Sequence, residues 1–219
     1  VLKKNMIFGM TWGRAMHEFV EQLAKDERLR SLSFQNVKVV PFLGTPGAIQ
    51  SDSWNTTTYS NTLATKVGNL LHCASYNLSA PMYVEGTKEK ELIESIDEIA
   101  KVLHMAETAD IALIGIGSMQ DDSSIIKAEI RTKEEYKELV RKGAVGEIVG
   151  RIYDKNGQTV DEDLKRKMVG ISLDKIAKIP VRVGMSYGKD KIEAIKGAIA
   201  GGLVNVLVTD VPTAELLLK

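Results

Sequence analysis

The chain has 219 residues, 44% hydrophobic and 26% charged, which is enough apolar material for one large domain and too much for a disordered chain. Lys plus Arg and Asp plus Glu both count 29, so there is no basic excess to neutralise nucleic-acid phosphates or to hold an anionic membrane. A single Cys73 excludes an internal disulfide and fits a reducing, cytoplasmic setting, and no apolar run is long enough to span a bilayer.

In chain order, residues 5–10 read as a short buried strand, followed by a helix from about Gly13 with Ala15, Met16, Phe19, Val20 and Leu23 on one face. Residues 37–42 form a second apolar strand that runs into LGTPGAIQSDSWNTTTYSN, a loop long enough to suggest a functional role. A helix follows over 60–71, then a short strand over 75–78. Residues 87–107 read as one charged helix with Leu92, Ile96, Ile99, Ala100 and Leu103 inward. Residues 111–116 are apolar throughout, the pattern of a parallel strand covered on both faces, and they end in GIGSM. After a helix over 133–142, the stretch GEIVGRIYDKNGQTV alternates, and Lys155, Asn156 and Gly157 predict the turn of a hairpin, with a small subdomain over 125–170 as one option. The βα rhythm then resumes: a strand over 181–185, a helix over 189–200 with Ile192, Ile195 and Ile199 inward, a strand over 204–208 and a helix over 213–218. Strands alternating with helices from end to end predict an α/β fold, a Rossmann-like, mostly parallel sheet, forming one domain over residues 1–219.

Two turns are nearly the same five letters, GMTWG at 9–13 and GMSYG at 184–188, and each joins a strand to a helix. Ligands of open α/β sheets bind at such strand ends, where glycine lets backbone approach and a helix N-terminus attracts an anion. Thr11 and Arg14 would strengthen a phosphate site at the first turn, and Gly188 and Lys191 could hold a second polar end of the same ligand. The plainer readings are turn chemistry for the glycines and packing against neighbouring loops for Trp12 and Tyr187. Neither a Walker loop nor a dinucleotide fingerprint is present, so no cofactor is implied. His17, His72 and His104 lack metal-ligand spacing, and Cys73 reads as a core thiol. Glu147 could accept sugar hydroxyls or be a solvated strand residue. Lys191 could make a polar contact or, like most lysines near a helix start, be exposed.

With those residues laid out, the sequence resembles the sugar-binding, effector-sensing domain of the SorC family of bacterial transcription regulators. The resemblance rests on GMTWGRAM, IALIGIGSM, AVGEIVGRIYDKNGQTV and, above all, the run VRVGMSYGKDKIEAIKGAIAGGLVNVLVTD followed by VPTAELLL. It implies a fold similar to sugar-phosphate isomerases and glucosamine-phosphate deaminases with no catalytic residues of its own. It also implies a phosphorylated sugar as effector, an N-terminal helix-turn-helix that would precede Val1 and reach operator DNA, and assembly as a homodimer or homotetramer. By the same resemblance Thr11, Trp12, Gly13, Arg14 and Ala15 form the phosphate loop, Glu147 is the carboxylate for sugar hydroxyls and Lys191 the lysine near the second glycine turn, while the strand-end glycine loops add Gly117, Ser118 and Gly188 to the expected effector site. Many relatives carry a double glycine where this chain has Ser186, Tyr187 and Gly188. Phe42, Leu43 and Gly44 supply no arginine for a second phosphate, so a singly phosphorylated effector is expected. The alternatives are an isomerase or deaminase of the same fold, with Glu147 as its base, and a lysine that forms a Schiff base with an aldehyde effector.

Overall fold

Apolar side chains alternate between two faces along the central strands, which fixes a sheet buried on both sides. In β1 (Ile7–Met10), β2 (Lys38–Pro41) and β4 (Ile111–Gly115), the residues Phe8, Met10, Val39, Ile111 and Leu113 join one core with Met16, Val20, Leu63 and Val67. Val40, Ala112 and Ile114 join the other. The computed structural model describes residues 5–31, 34, 36–46 and 56–219, so residues 47–55 of the long loop after β2 lie outside the described residues.

The first core belongs to α1 (Arg14–Lys25) and α2 (Ser60–Leu70), which carry the chain from β1 through β2 to the short β3 (Ala74–Ser75). The expected single helix over 87–107 is two helices, α3 (Thr87–Glu94) and α4 (Asp97–Glu107). Ser95 Oγ donates to the Leu92 carbonyl, Ile96 turns to an extended conformation, and Asp97 and Glu98 start the next helix at the end its dipole favours for acids. The break leaves Leu92 and Ile96 exposed rather than inward.

Beyond β4 come β5 (Gly117–Ser118), α5 (Ser124–Lys127), α6 (Lys133–Arg141), β6 (Ala144–Ile148), β7 (Arg151–Asp154), α7 (Glu162–Lys167) and α8 (Leu173–Ile176). The strands β5, β6 and β7 make a small antiparallel sheet. Its residues Ile148, Ile152 and Tyr153 share a core with Ile114 and Ala112 of the main sheet, so this excursion is not a separate body. The strands β6 and β7 are joined at Val149 and Gly150, both at positive φ (55° and 69°), a turn that the sequence does not signal. The Lys155–Asn156–Gly157 segment makes the next turn, closed by the Asp154 amide donating to Gln158. The chain ends with β8 (Val181–Met185), α9 (Ile192–Ala200), β9 (Val206–Val208) and α10 (Val211–Leu217). Ile195 is buried beneath α9 but Ile199 is half exposed, because Ala194, Gly197 and Ala198 form the packed face instead.

The main sheet is parallel throughout, with the order β3-β2-β1-β4-β8-β9. Chain order reverses between β1 and β4, which opens a crevice at the carboxyl ends of these strands. This is the Rossmann-like α/β sheet expected from the sequence.

Candidate functional site

Both glycine turns end at that crevice with the same backbone conformation. Gly13 (φ 109°, ψ 173°) is the N-cap of α1, and Gly188 (φ 105°, ψ 147°) caps the short 3-10 turn that leads into α9. L-residues pay heavily for this region, so each pentapeptide ends on glycine for a geometric reason. The repeat is one bend made twice. The Gly13 amide donates to the Thr58 carbonyl at 3.0 Å and the Gly188 amide to Thr213 Oγ1 at 2.8 Å, so each bend is tied to a neighbouring element.

The first intrahelical bond of α1 runs from the His17 amide to the Gly13 carbonyl. The amides before it, including those of Arg14 and Ala15, have no intrahelical acceptor, and they sit at the positive end of the helix dipole. Gly13, Arg14 and Ala15 line a cleft of about 310 Å³ with Trp12, Gly117, Ser118, Glu147 and Lys191. Thus most of the residues expected from the sequence meet at one place. Two lie outside its lining. Thr11 is fully buried, its hydroxyl accepting the Gly115 amide at 2.9 Å, so it braces the floor between β1 and β4 instead of facing a ligand. Gly188 shapes the bend behind Tyr187.

Glu147 is the central polar group. It lies at β6 opposite Gly117, and a Cβ at Gly117 would come within 2.8 Å of Glu147 Oε2, so a larger residue there would push the carboxyl group from its place. Burial pushes its carboxyl up to about 7, against the opposing pull of the Gly150 amide, the Trp12 side chain, and the charges of Lys191 and Arg151. The Gly150 amide reaches Glu147 Oε1 only because the hairpin bends at Val149, a β-branched residue at positive φ. Glu147 is therefore buried and held in place, not a solvated strand residue. Lys191, also mostly buried, donates to Ser118 Oγ at 2.8 Å and lies 3.5 Å from Asp190. On the opposite rim the exposed Arg14 pairs with Asp122 at 2.8 Å.

Asp122, Ser123, Ser124 and Asp190 also line the cleft, and sequence reasoning missed them. The available signal was QDDSS directly after GIGSM, a polar cluster that leaves a strand end and caps a helix through Ser123 Oγ. A larger groove of about 740 Å³ lies between α4 and residues 76–79. It is mainly apolar and sits at the sheet edge, whereas the smaller cleft gathers converging polar groups at the switch point, the feature that marks a ligand site. Among the described residues no group of three His, Cys, Asp or Glu is placed to hold a metal, and no helix is long and apolar enough to cross a membrane.

Comparison with known proteins gives the geometry a family. Residues 1–219 match the family described as "Putative sugar-binding domain". The chain is 30% identical over 221 residues to the sorbitol operon regulator of Klebsiella pneumoniae, covering 100% of this chain and 67% of that protein. It is 35% identical over 159 residues to the transcriptional regulator LsrR of Escherichia coli O9:H4 (strain HS), covering 71% of this chain and 50% of LsrR. The chain therefore spans about two thirds of the first regulator and half of the second. The crystal structure of full-length SorC from Klebsiella pneumoniae superposes with a TM-score of 0.88 at 30% identity, covering 100% of this chain and 68% of that one. The probable sor operon regulator of Shigella flexneri gives 0.86 at 28% identity, covering 100% and 82%. These relatives are named as regulators, which does not favour the isomerase or deaminase alternative. The chain belongs to the family of sugar-binding domains found in SorC- and LsrR-type transcriptional regulators.

Proposed function

We propose that the cleft binds a singly phosphorylated sugar and that its occupancy controls DNA binding by the whole regulator. The observation that carries this reading is the meeting of the α1 N-terminus and Arg14 with Glu147, Ser118 and Lys191 around one small polar cleft. A phosphate takes the free amides of α1 and the Arg14 guanidinium, and the sugar hydroxyls take Glu147, Ser118 and Lys191. A volume of about 310 Å³ lies at the small end of ligand sites, which suits one monosaccharide phosphate. Binding favours one arrangement of loops or subunits and so resets the spacing of helix-turn-helix segments on an operator. The regulator works in the cytoplasm as a homodimer or homotetramer. The exposed apolar residues Val206, Val208, Val211 and Leu218 are consistent with an assembly surface.

No turnover is part of this reading. The Glu147 carboxyl is already engaged by the Gly150 amide and Trp12, and the Lys191 ammonium by Ser118 and Asp190, so the reading gives both a hydrogen-bonding role and neither a catalytic one. The test is a thermal-shift screen against triose, pentose and hexose phosphates, with product analysis of every hit. At least one phosphate should bind unchanged, and both Arg14→Ala and Glu147→Ala should weaken it. Binding that survives Arg14→Ala but not Glu147→Ala would remove the phosphate from the α1 end, and chemical conversion of a hit would make the protein an enzyme.

A further inference from the structure

The two glycine turns share more than their bend. Each delivers one cation to the cleft, Arg14 directly after Gly13 and Lys191 three residues after Gly188, and each cation is met by a carboxylate of the protein itself. Arg14 Nη2 lies 2.8 Å from Asp122 Oδ2, bridging the start of α1 to the loop before α5. Lys191 Nζ lies 3.5 Å from Asp190 Oδ2, and Ser118 Oγ lies beside both, 2.8 Å from Nζ and 3.5 Å from the carboxylate. Among the lining residues the cations are Arg14 and Lys191 and the carboxylates are Asp122, Glu147 and Asp190, so the cleft carries no net positive charge to attract an anion.

We propose that Asp122 and Asp190 are specificity-determining residues: each pairs with one cation of the cleft, and a ligand must compete with them for those cations. The proposal rests on the phosphate reading above. A neutral sugar cannot compensate Arg14 or Lys191 once their partners are displaced. A monoanion can compensate one of them. A phosphate dianion presents three oxygens and close to two charges, enough to take over from a carboxylate while also accepting the α1 amides. The internal carboxylates thus lower affinity for every anion but penalise weak ones most, which is selectivity by competition. Partial burial works to raise the Asp122 carboxyl, yet the Arg14 hydrogen bond and charge outweigh it and keep Asp122 below its ordinary value, so it is present as an anion to compete.

Isothermal titration with inorganic phosphate at about pH 8, where the dianion dominates, tests this on wild type, Asp122→Asn, Asp190→Asn and the double variant. Each single change should tighten phosphate binding by about two- to fivefold, the range expected for releasing an exposed ion pair, and the double variant by more. In an Arg14→Ala background the gain from Asp122→Asn should vanish. The exposed neighbour Asp121, changed to Asn, serves as a control for removal of any nearby negative charge and should give a smaller effect. Equal or weaker binding by both single variants, or a gain as large from Asp121→Asn, overturns the proposal. Absence of phosphate binding in wild type and in all variants overturns the phosphate reading itself.

Discussion

At Gly13 the backbone conformation alone sets the expected cost of a substitution, because a Cβ there meets nothing within 4 Å. Gly13→Ala should therefore lose about 1–3 kcal/mol in urea unfolding, all of it backbone strain. Gly188→Ala should lose a similar amount and also push against Asp190 Oδ1, 2.8 Å from the added carbon, so it disturbs the Lys191 partner as well. Unchanged stability in either variant would mean that the bend relaxes. Glu147 offers a pH-dependent counterpart. Its carboxyl is raised from 4.5 to about 7 in the folded chain, chiefly by burial, so between those values the unfolded chain releases its proton first. The folded state is favoured by this group at low pH, and the advantage fades as pH rises through 7, by about 3 kcal/mol in all. Glu147→Gln, which cannot ionise, should match wild type near pH 4.5 and become progressively more stable than wild type up to about pH 8. A stability difference that stays flat across that window would show that Glu147 is not desolvated. The residue scale is also where sequence reading reached its limit. Glycine motifs announced the turns, but nothing local distinguishes a hydroxyl that faces a ligand from one, like Thr11, that accepts an amide of the neighbouring strand.

Elements follow their local signals wherever the signal is redundant. The strand β4 is legible because Ile111, Ala112, Leu113 and Ile114 follow one another without a polar break, and the helix expected over 133–142 forms as α6, begun by a reciprocal capping box of Thr132 and Glu135. The expected turn at 155–157 forms and pairs Tyr153 with Thr159, but the turn between β6 and β7 has no signature at Val149: a β-branched residue at positive φ is held by its surroundings, not by its own preference. A second non-local tie is Arg131, whose guanidinium binds Asp161 through two hydrogen bonds of 2.9 and 3.1 Å and also reaches Asp163 at 3.0 Å. Asp161 in turn caps α7 by accepting the Leu164 amide at 2.9 Å, so one nearly buried ion pair fastens the start of α6 to the start of α7. Arg131→Ala leaves that carboxylate buried without its partner and should cost about 3–5 kcal/mol by chemical denaturation. Arg131→Met with Asp161→Leu removes both charges but also the cap, and should recover only part of that loss. Full recovery would show that the cap contributes nothing.

At the scale of the whole molecule, the parallel sheet was legible because strands and helices alternate along the chain, while the strand order came from pairing that no single segment encodes. That order puts the residues after β1, β4 and β8 around one crevice, so positions more than a hundred residues apart share the cleft. A ligand there bridges α1, the small sheet and the start of α9, and so stabilises the fold as a unit by mass action. At a hundredfold excess over Kd the gain is about 2.7 kcal/mol, which for a domain of this size should raise Tm by roughly 5–10 °C. Ala15→Asp separates this gain from any general effect of solute. A carboxylate in the first turn of α1 suits the helix dipole, so the unliganded variant should melt within about 2 °C of wild type. The same charge stands where the phosphate would bind, and repulsion should abolish the ligand-induced rise in Tm. If a sugar phosphate still raised the Tm of Ala15→Asp by the wild-type amount, the phosphate would have to sit elsewhere in the cleft, and Lys191 would be the next cation to test.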